Sequence, residues 1–345
     1  MPASLFPSIG LTAPFILAGM AIVAFSGSVS ARENSSRELV VTNRYTLPLL
    51  EISGLAPAPA LDSKGAQTAN RSLRLYAVGD ATREVVTFYI DGSSGGIVIS
   101  LKDAALPSGR RAAGASQWEA VAADGVDTVC MLSETDSKVS CFDDRINENR
   151  GIITLDTSPL KHLNRLWGNR PNSRGEGMLL MKKGHLLILK EKKPSLLVEF
   201  GPQGDLATGY GPDTFLAPDE AFALPSRAPG QQEPTLVALK SWEFSDRLRE
   251  LASDASEITL GPDGHVYLLS HESSTLIRLE KVLKPDEEKV NINDDAWWIL
   301  PKGIGKTEGL AIDSEMRPWI AVDRKQKEKP NLFRLSLISP GAEGD

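Results

Sequence analysis

Four pairs of acidic residues recur at one spacing in this chain: Glu119/Glu134, Glu176/Glu191, Glu257/Glu272 and Glu308/Asp323. Each pair brackets the same local text of acid, apolar run, turn, apolar run, acid. The copies are WEAVAADGVDTVCMLSE, GEGMLLMKKGHLLILKE, SEITLGPDGHVYLLSHE and TEGLAIDSEMRPWIAVD. Carboxylates gathered at one place repel one another, and burial disfavours their charged form further. A hard cation relieves both, and Ca²⁺ accepts about six to eight oxygens in flexible geometry. Glu119, Glu176, Glu257 and Glu308 are therefore candidate Ca²⁺ ligands. In the alternative reading each accepts hydrogen bonds from backbone N–H groups of the adjacent repeat and staples the two together. If the site is catalytic, Glu176 and His271 are the candidate bases.

The second acids stand one strand further out. Glu134, Glu191, Glu272 and Asp323, with Asp80 from an earlier copy, are candidate ligand contacts or caps of the loops that follow. Ser53 takes the first-acid position in that earlier copy and interrupts the ring of carboxylates. Lys190, Lys192 and Arg324 belong to the lysine- and arginine-rich loops of the same face, where a cation with a basic rim would suit an anionic ligand such as a phosphate ester.

A self-similar unit repeated along the chain is the signature of a repeat architecture. Each copy reads as three strands separated by turns rich in Gly, Asp, Asn and Pro. The first strands are EAVAAD, EGMLLM, EITLG and EGLAID; ISGLA (52–56) opens the earlier copy. Outer fourth strands follow at GIVISL (96–101), GIITLD (151–156), TLVALKSWEF (235–244) and AWWIL (296–300). The last copy has none, and the N-terminal run 37–47 is left to complete it. The expectation is an all-β, five-bladed β-propeller over 32–340, its ring closed by the N-terminal strand, since closure removes free sheet edges. Six blades would need one hidden in the Pro/Gly-rich insertion 201–234. First and second acids then lie at one face, where the long loops also open.

The chain has 345 residues, a net charge of −7 and 24% charged residues. Such an acidic balance argues against a general nucleic-acid binder. Residues 1–31 carry no charged side chain, 15–25 is apolar, and Val29-Ser30-Ala31 follows. That pattern predicts a signal peptide or an N-terminal membrane anchor, and with either a periplasmic or secreted domain. Cys130 and Cys141 flank a turn at Thr135-Asp136 that would set them opposite each other; they are either a disulfide or two small buried residues. The Gly303–Thr307 text lacks the first glycine of a phosphate-binding loop, and no Gly-x-Ser-x-Gly occurs.

These repeats resemble the SdiA-regulated propeller family and the esterase-like phytase-related proteins of bacteria. The resemblance rests on ISGLA…LYAVGD, GEGMLL…LLILKE, SEITLGPDGHVYLLSHESSTLIRLE and TEGLAID. It implies an exported or anchored propeller with its cation site on Glu119, Glu176, Glu257 and Glu308. The functional expectation is a monomeric extracytoplasmic module binding a divalent cation together with an anionic small molecule or protein partner. The alternative is a metal-dependent hydrolase of an anionic ester.

Overall fold

The structure is a computed structural model, and it describes residues 37–58, 73–90, 97–104, 116–169, 174–227, 230 and 232–339. All lie in one compact unit spanning 36–345. The expected signal or anchor segment falls outside these residues. Among the described residues no helix is long and apolar enough to cross a membrane.

Strand β1 (Val41–Tyr45) precedes a series of antiparallel meanders. The first contains β2 (Ile52–Ala58), β3 (Arg74–Gly79), β4 (Glu84–Ile90) and β5 (Ile97–Asp103). The second contains β6 (Trp118–Ala123), β7 (Thr128–Ser133), β8 (Lys138–Asp143) and β9 (Asn149–Asp156), followed by helix α1 (Lys161–Asn169). The third contains β10 (Gly177–Leu180), β11 (Leu186–Lys190), β12 (Leu196–Gly201) and β13 (Thr235–Phe244), followed by helix α2 (Asp246–Leu251); a short parallel pairing of β13 with β9 joins the second and third meanders into one sheet. In the fourth, β14 (Ala255–Leu260), β15 (Val266–Ser270) and β16 (Thr275–Leu279) are followed by β17 (Lys289–Val290), which pairs with β13, and then by the outer strand β18 (Ile292–Ile299). The fifth contains β19 (Lys306–Ile312), β20 (Pro318–Asp323) and β21 (Leu332–Leu335), and β1 pairs antiparallel with β21 as its fourth strand. The side chain of Asn331 fastens this junction: Oδ1 accepts from Leu47 N at 2.7 Å, and Nδ2 donates to Leu47 O and Leu49 O.

The first strands touch in cyclic order: β2 meets β6, β6 meets β10, β10 meets β14, β14 meets β19, and β19 meets β2. Middle strands are buried on both faces because meander packs on meander. TVCMLS, LLILK and VYLLS are accordingly continuous apolar text with no alternation. The described part of the 201–234 insertion contains no strand beyond its first residue, Gly201, which ends β12; it makes only the isolated bridges Met181↔Phe215 and Tyr210↔Leu283.

The second hairpin turns through four residues, Glu134–Ser137, where the sequence suggested two. The register is centred in the same place, so Cys130 stands opposite Cys141 and the two are disulfide-bonded with Cα atoms 4.0 Å apart.

Candidate functional site: an acidic mouth with one repeat out of register

Each first strand carries a bulge just where the site begins. In β2, β6 and β19 the ladder skips one residue: Ser53, Glu119 and Glu308 respectively. In the third meander Glu176 N donates to Leu189 O while Gly177 already pairs with Leu189, leaving Glu176 in the same place. A bulge leaves its extra residue unpaired and re-aims its side chain, which is how these residues leave the sheet plane.

The fourth meander breaks the sequence-based alignment. There the skipped residue is Ser256, and Glu257 pairs with Leu269. Structurally the motifs therefore align as ISGL, WEAV, GEGM, ASEI and TEGL. The ring position holds Ser53, Glu119, Glu176, Ser256 and Glu308; Glu257 stands one layer deeper, beside Gly54, Ala120, Gly177 and Gly309. The second acid shifts as well. His271 follows Ser270, the partner of Ala255, and so is the counterpart of Asp80, Glu134, Glu191 and Asp323. Both ends of the unit moved by one, so the fifteen-residue spacing survived and concealed the shift.

This corrects two assignments. Glu257 is 1% exposed and does not face the mouth. It reaches across the axis: Oε1 accepts from Ile258 N at 2.9 Å, and Oε2 accepts from Leu55 N of β2 at 3.3 Å. Of the two roles anticipated for the glutamates, it has the staple. Its site is possible because neighbouring residues are small; a Cβ on Gly177 would lie 2.8 Å from Glu257 Oε1 and 2.7 Å from Ile258 N. Glu272 is exposed and accepts only from Ser253 Oγ at 3.4 Å, away from the mouth.

The mouth itself is a cavity of about 300 Å³. Of its lining residues eight are acidic (Glu51, Asp80, Glu119, Glu134, Glu176, Glu191, Glu308 and Asp323) and two are cationic, Lys192 and Lys306. That imbalance governs the protonation of the cluster. Burial, then Glu134, Asp80 and Glu308, push Glu119 up to about 8. Glu134 rises to about 7 through burial, restrained by the Arg174 backbone N–H that donates to Oε1 at 2.9 Å. Glu308 also rises to about 7 by burial, against the pull of Lys306. Burial holds Glu176 well above the usual carboxylate range, with Glu119 and Glu191 adding to it. Asp80 is raised by burial and then by Glu51, and its buried Oδ1 has no hydrogen-bond partner among the described residues. Such carboxylates share protons and titrate as a cluster.

The two ammonium groups are resident counter-ions. Lys306 Nζ pairs with Glu308 and stands 3.6 Å from Asp323 Oδ2. Its burial disfavours the charged form, but Glu308 and Asp323 outweigh that and raise its pKa. Lys192 pairs with Glu191 and lies 3.8 Å from Asp254 Oδ2. The serines of the ring serve as staples: Ser53 Oγ donates to Trp118 O and Ser256 Oγ to Thr307 O at 2.9 Å, in each case to the next meander.

Three further expectations change. Lys190 is fully buried, and its Nζ donates to Lys192 O at 2.6 Å, so it holds the 190–194 loop and does not line the cavity. Arg324 donates to Ile304 O at 2.5 Å and lies over the Phe333 ring, outside the mouth. His271 does not line the cavity; its Nδ1 accepts from Thr307 N at 3.2 Å, which places the ring proton of the neutral form on Nε2. The anticipated basic rim is thus largely internal neutralisation. Sequence reading missed Glu51 and the pairing of Lys306 with Glu308. It also missed Ser256, for which ISGL was the available signal. Among the described residues no three His, Cys, Asp or Glu side chains already stand at the spacing that holds a metal ion.

Fold and site together define a propeller-like all-β protein with a carboxylate-lined axial mouth. The SdiA-regulated family model matches residues 70–334, and the chain belongs to that family. Among curated proteins no sequence matches it. Solved structures with similar folds include a glutaminyl cyclase from Myxococcus xanthus, at 12% identity and TM-score 0.45, covering 86% of this chain and 95% of that one. Another is regucalcin, a calcium-binding protein from Agrobacterium tumefaciens, at 14% and 0.43, covering 86% and 94%. A third is virginiamycin B lyase from Staphylococcus aureus, at 11% and 0.41, covering 87% and 100%. At these TM-scores nothing about the site is carried over from them.

Proposed function

We propose that this chain is a five-bladed propeller, closed by β1, whose acidic mouth binds a hard divalent cation, Ca²⁺ by the all-oxygen character of its donors. The cyclic contact of the first strands and the β1–β21 pairing support the five-bladed ring. The observation that carries the cation reading is the excess of eight carboxylates over two ammoniums in one cavity. Glu119, Glu176 and Glu308 would hold the ion, with Asp80 and Glu134 behind them. Bound there, the cation would supply charge neutralisation and a docking point for an anionic small molecule or protein partner. The uncharged segment 1–31 would direct this monomeric domain to the periplasm or the cell exterior, or anchor it to the membrane. The hydrolase alternative has less support, because His271 stands outside the cavity.

Thermal unfolding at about pH 8 with Ca²⁺, Mg²⁺ or chelator tests this reading. At a hundredfold excess over Kd a ligand bound only to the folded state stabilises by about 2.7 kcal/mol. Ca²⁺ is expected to raise Tm clearly more for the wild type than for Glu176→Gln. An equal response of both proteins would overturn the assignment.

A further inference from the structure

The axis has a second end, which the cation reading does not use. Beyond the layer of Gly54, Ala120, Gly177, Glu257 and Gly309 lies a cavity of about 660 Å³. All five first strands or their ends contribute to its wall, through Leu55, Val121, Met178, Ile258 and Ile312. The plug that separates it from the acidic mouth is the side chain of Glu257. Leu55 and Ile258, whose N–H groups hold that carboxyl, are themselves wall residues. The pocket is therefore closed at its inner end.

Residues 215–218 of the insertion form one side of its rim. They are anchored where they stand. Phe215 bridges to Met181 and stacks on Tyr210 at 6.1 Å, and Lys182 N donates to Thr214 O at 2.9 Å. The wall is thus preformed, as ligand pockets of roughly 300–1,000 Å³ usually are.

The chemistry of the lining selects the ligand. Among its described lining residues only Asp124 is ionisable, and both its oxygens are committed. Oδ1 accepts from the N–H groups of Val126, Asp127 and Thr128 at 2.9–3.0 Å, and Oδ2 accepts from Phe222 N at 2.9 Å. Among the described residues of the wall nothing remains to pair with a carboxylate, phosphate or ammonium, and burying an unpaired charge is costly. We infer that this cavity is a second binding site, separate from the acidic mouth, for a small, neutral, largely apolar molecule.

The test is a fluorescence titration of the whole protein with N-phenyl-1-naphthylamine, a neutral apolar probe, beside the anionic 1-anilinonaphthalene-8-sulfonate. Saturable binding of one neutral probe per chain is expected, with the anion at least about tenfold weaker. Ala217→Trp and Ser314→Trp would each fill the pocket from a different segment of its lining. Each is expected to weaken the neutral probe by about tenfold or more without changing Tm, whereas Glu176→Gln leaves its binding intact. Binding that does not saturate, or that both tryptophan variants leave unchanged, would overturn the inference. Pro57 and Leu73 of the wall flank residues 59–72 in the sequence. Binding that emerges only after replacement of 59–72 by a short Gly-Ser linker would make that segment the occupant, and would equally overturn it.

Discussion

The third and fourth meanders carry the same text at the same spacing, Glu176…Glu191 and Glu257…Glu272, yet their glutamates have opposite roles. Glu176 sits on a bulge and opens into the acidic mouth. Glu257 is paired in its ladder, buried, and bonded through both oxygens to backbone N–H groups. One residue of register separates a mouth-facing carboxylate from a structural one, because on a strand each step changes the side to which the side chain points. A repeat period therefore locates a site without assigning each repeat's member of it.

The largest effect that would break this comparison is on stability. Glu257→Ala leaves the N–H groups of Leu55 and Ile258 unsatisfied in the interior, and about 3 kcal/mol should be lost in urea denaturation. Glu176→Gln should cost under about 1 kcal/mol, since it removes one of several mutually repelling carboxylates. If the two variants were equally destabilised, the distinction between staple and site would fail.

Next in size is cation affinity. Glu176→Gln should weaken Ca²⁺ binding by about tenfold or more, equivalent to about 1.4 kcal/mol.

The pH dependence follows from the raised carboxyls. Folded-state values near 8 for Glu119 and near 7 for Glu134 and Glu308 mean that the native state holds more protons than the unfolded one above about pH 4.5. Their contribution is fully present below that point and is lost as pH rises through about 7 to 8. Cation-free protein should accordingly melt at lower temperature at about pH 8 than at about pH 5, with Ca²⁺ offsetting the loss. A rising Tm over this window would show that other groups dominate.

A smaller, opposite effect is expected at the resident ammonium. Lys306→Met removes a competing charge beside Glu308 and should tighten Ca²⁺ binding several-fold, read by the same titration. Smallest of all, Glu272→Gln should change neither affinity beyond about twofold nor stability beyond about 0.5 kcal/mol.

Much of this architecture was legible in the residues. TVCMLS, VYLLS and TLIRL coincide with β7, β15 and β16, because buried strands between turn residues leave a plain apolar record. The acids of the second, third and fifth repeats were placed correctly at the mouth, and the cysteine register followed from the hairpin's centre. What could not be read was the bulge. It shifts a ladder by one residue with no change in composition, and the fourth repeat altered both its acids together. Nor could the loop lysines be sorted: Lys190 and Lys192 are two positions apart, yet one is a fully buried tether and the other a counter-ion in the cavity. The partition of the axis was equally hidden, since Gly54, Ala120, Gly177, Glu257 and Gly309 share a layer only once the bulges are aligned.

The central claim is tested most directly by calorimetric titration of Ca²⁺ into the purified domain at about pH 8, for wild type, Glu176→Gln and Glu257→Gln. The account predicts about one ion per chain for the wild type, binding weakened by about tenfold or more in Glu176→Gln and retained affinity in Glu257→Gln. Absence of binding to the wild type, or equal loss in both variants, would contradict it.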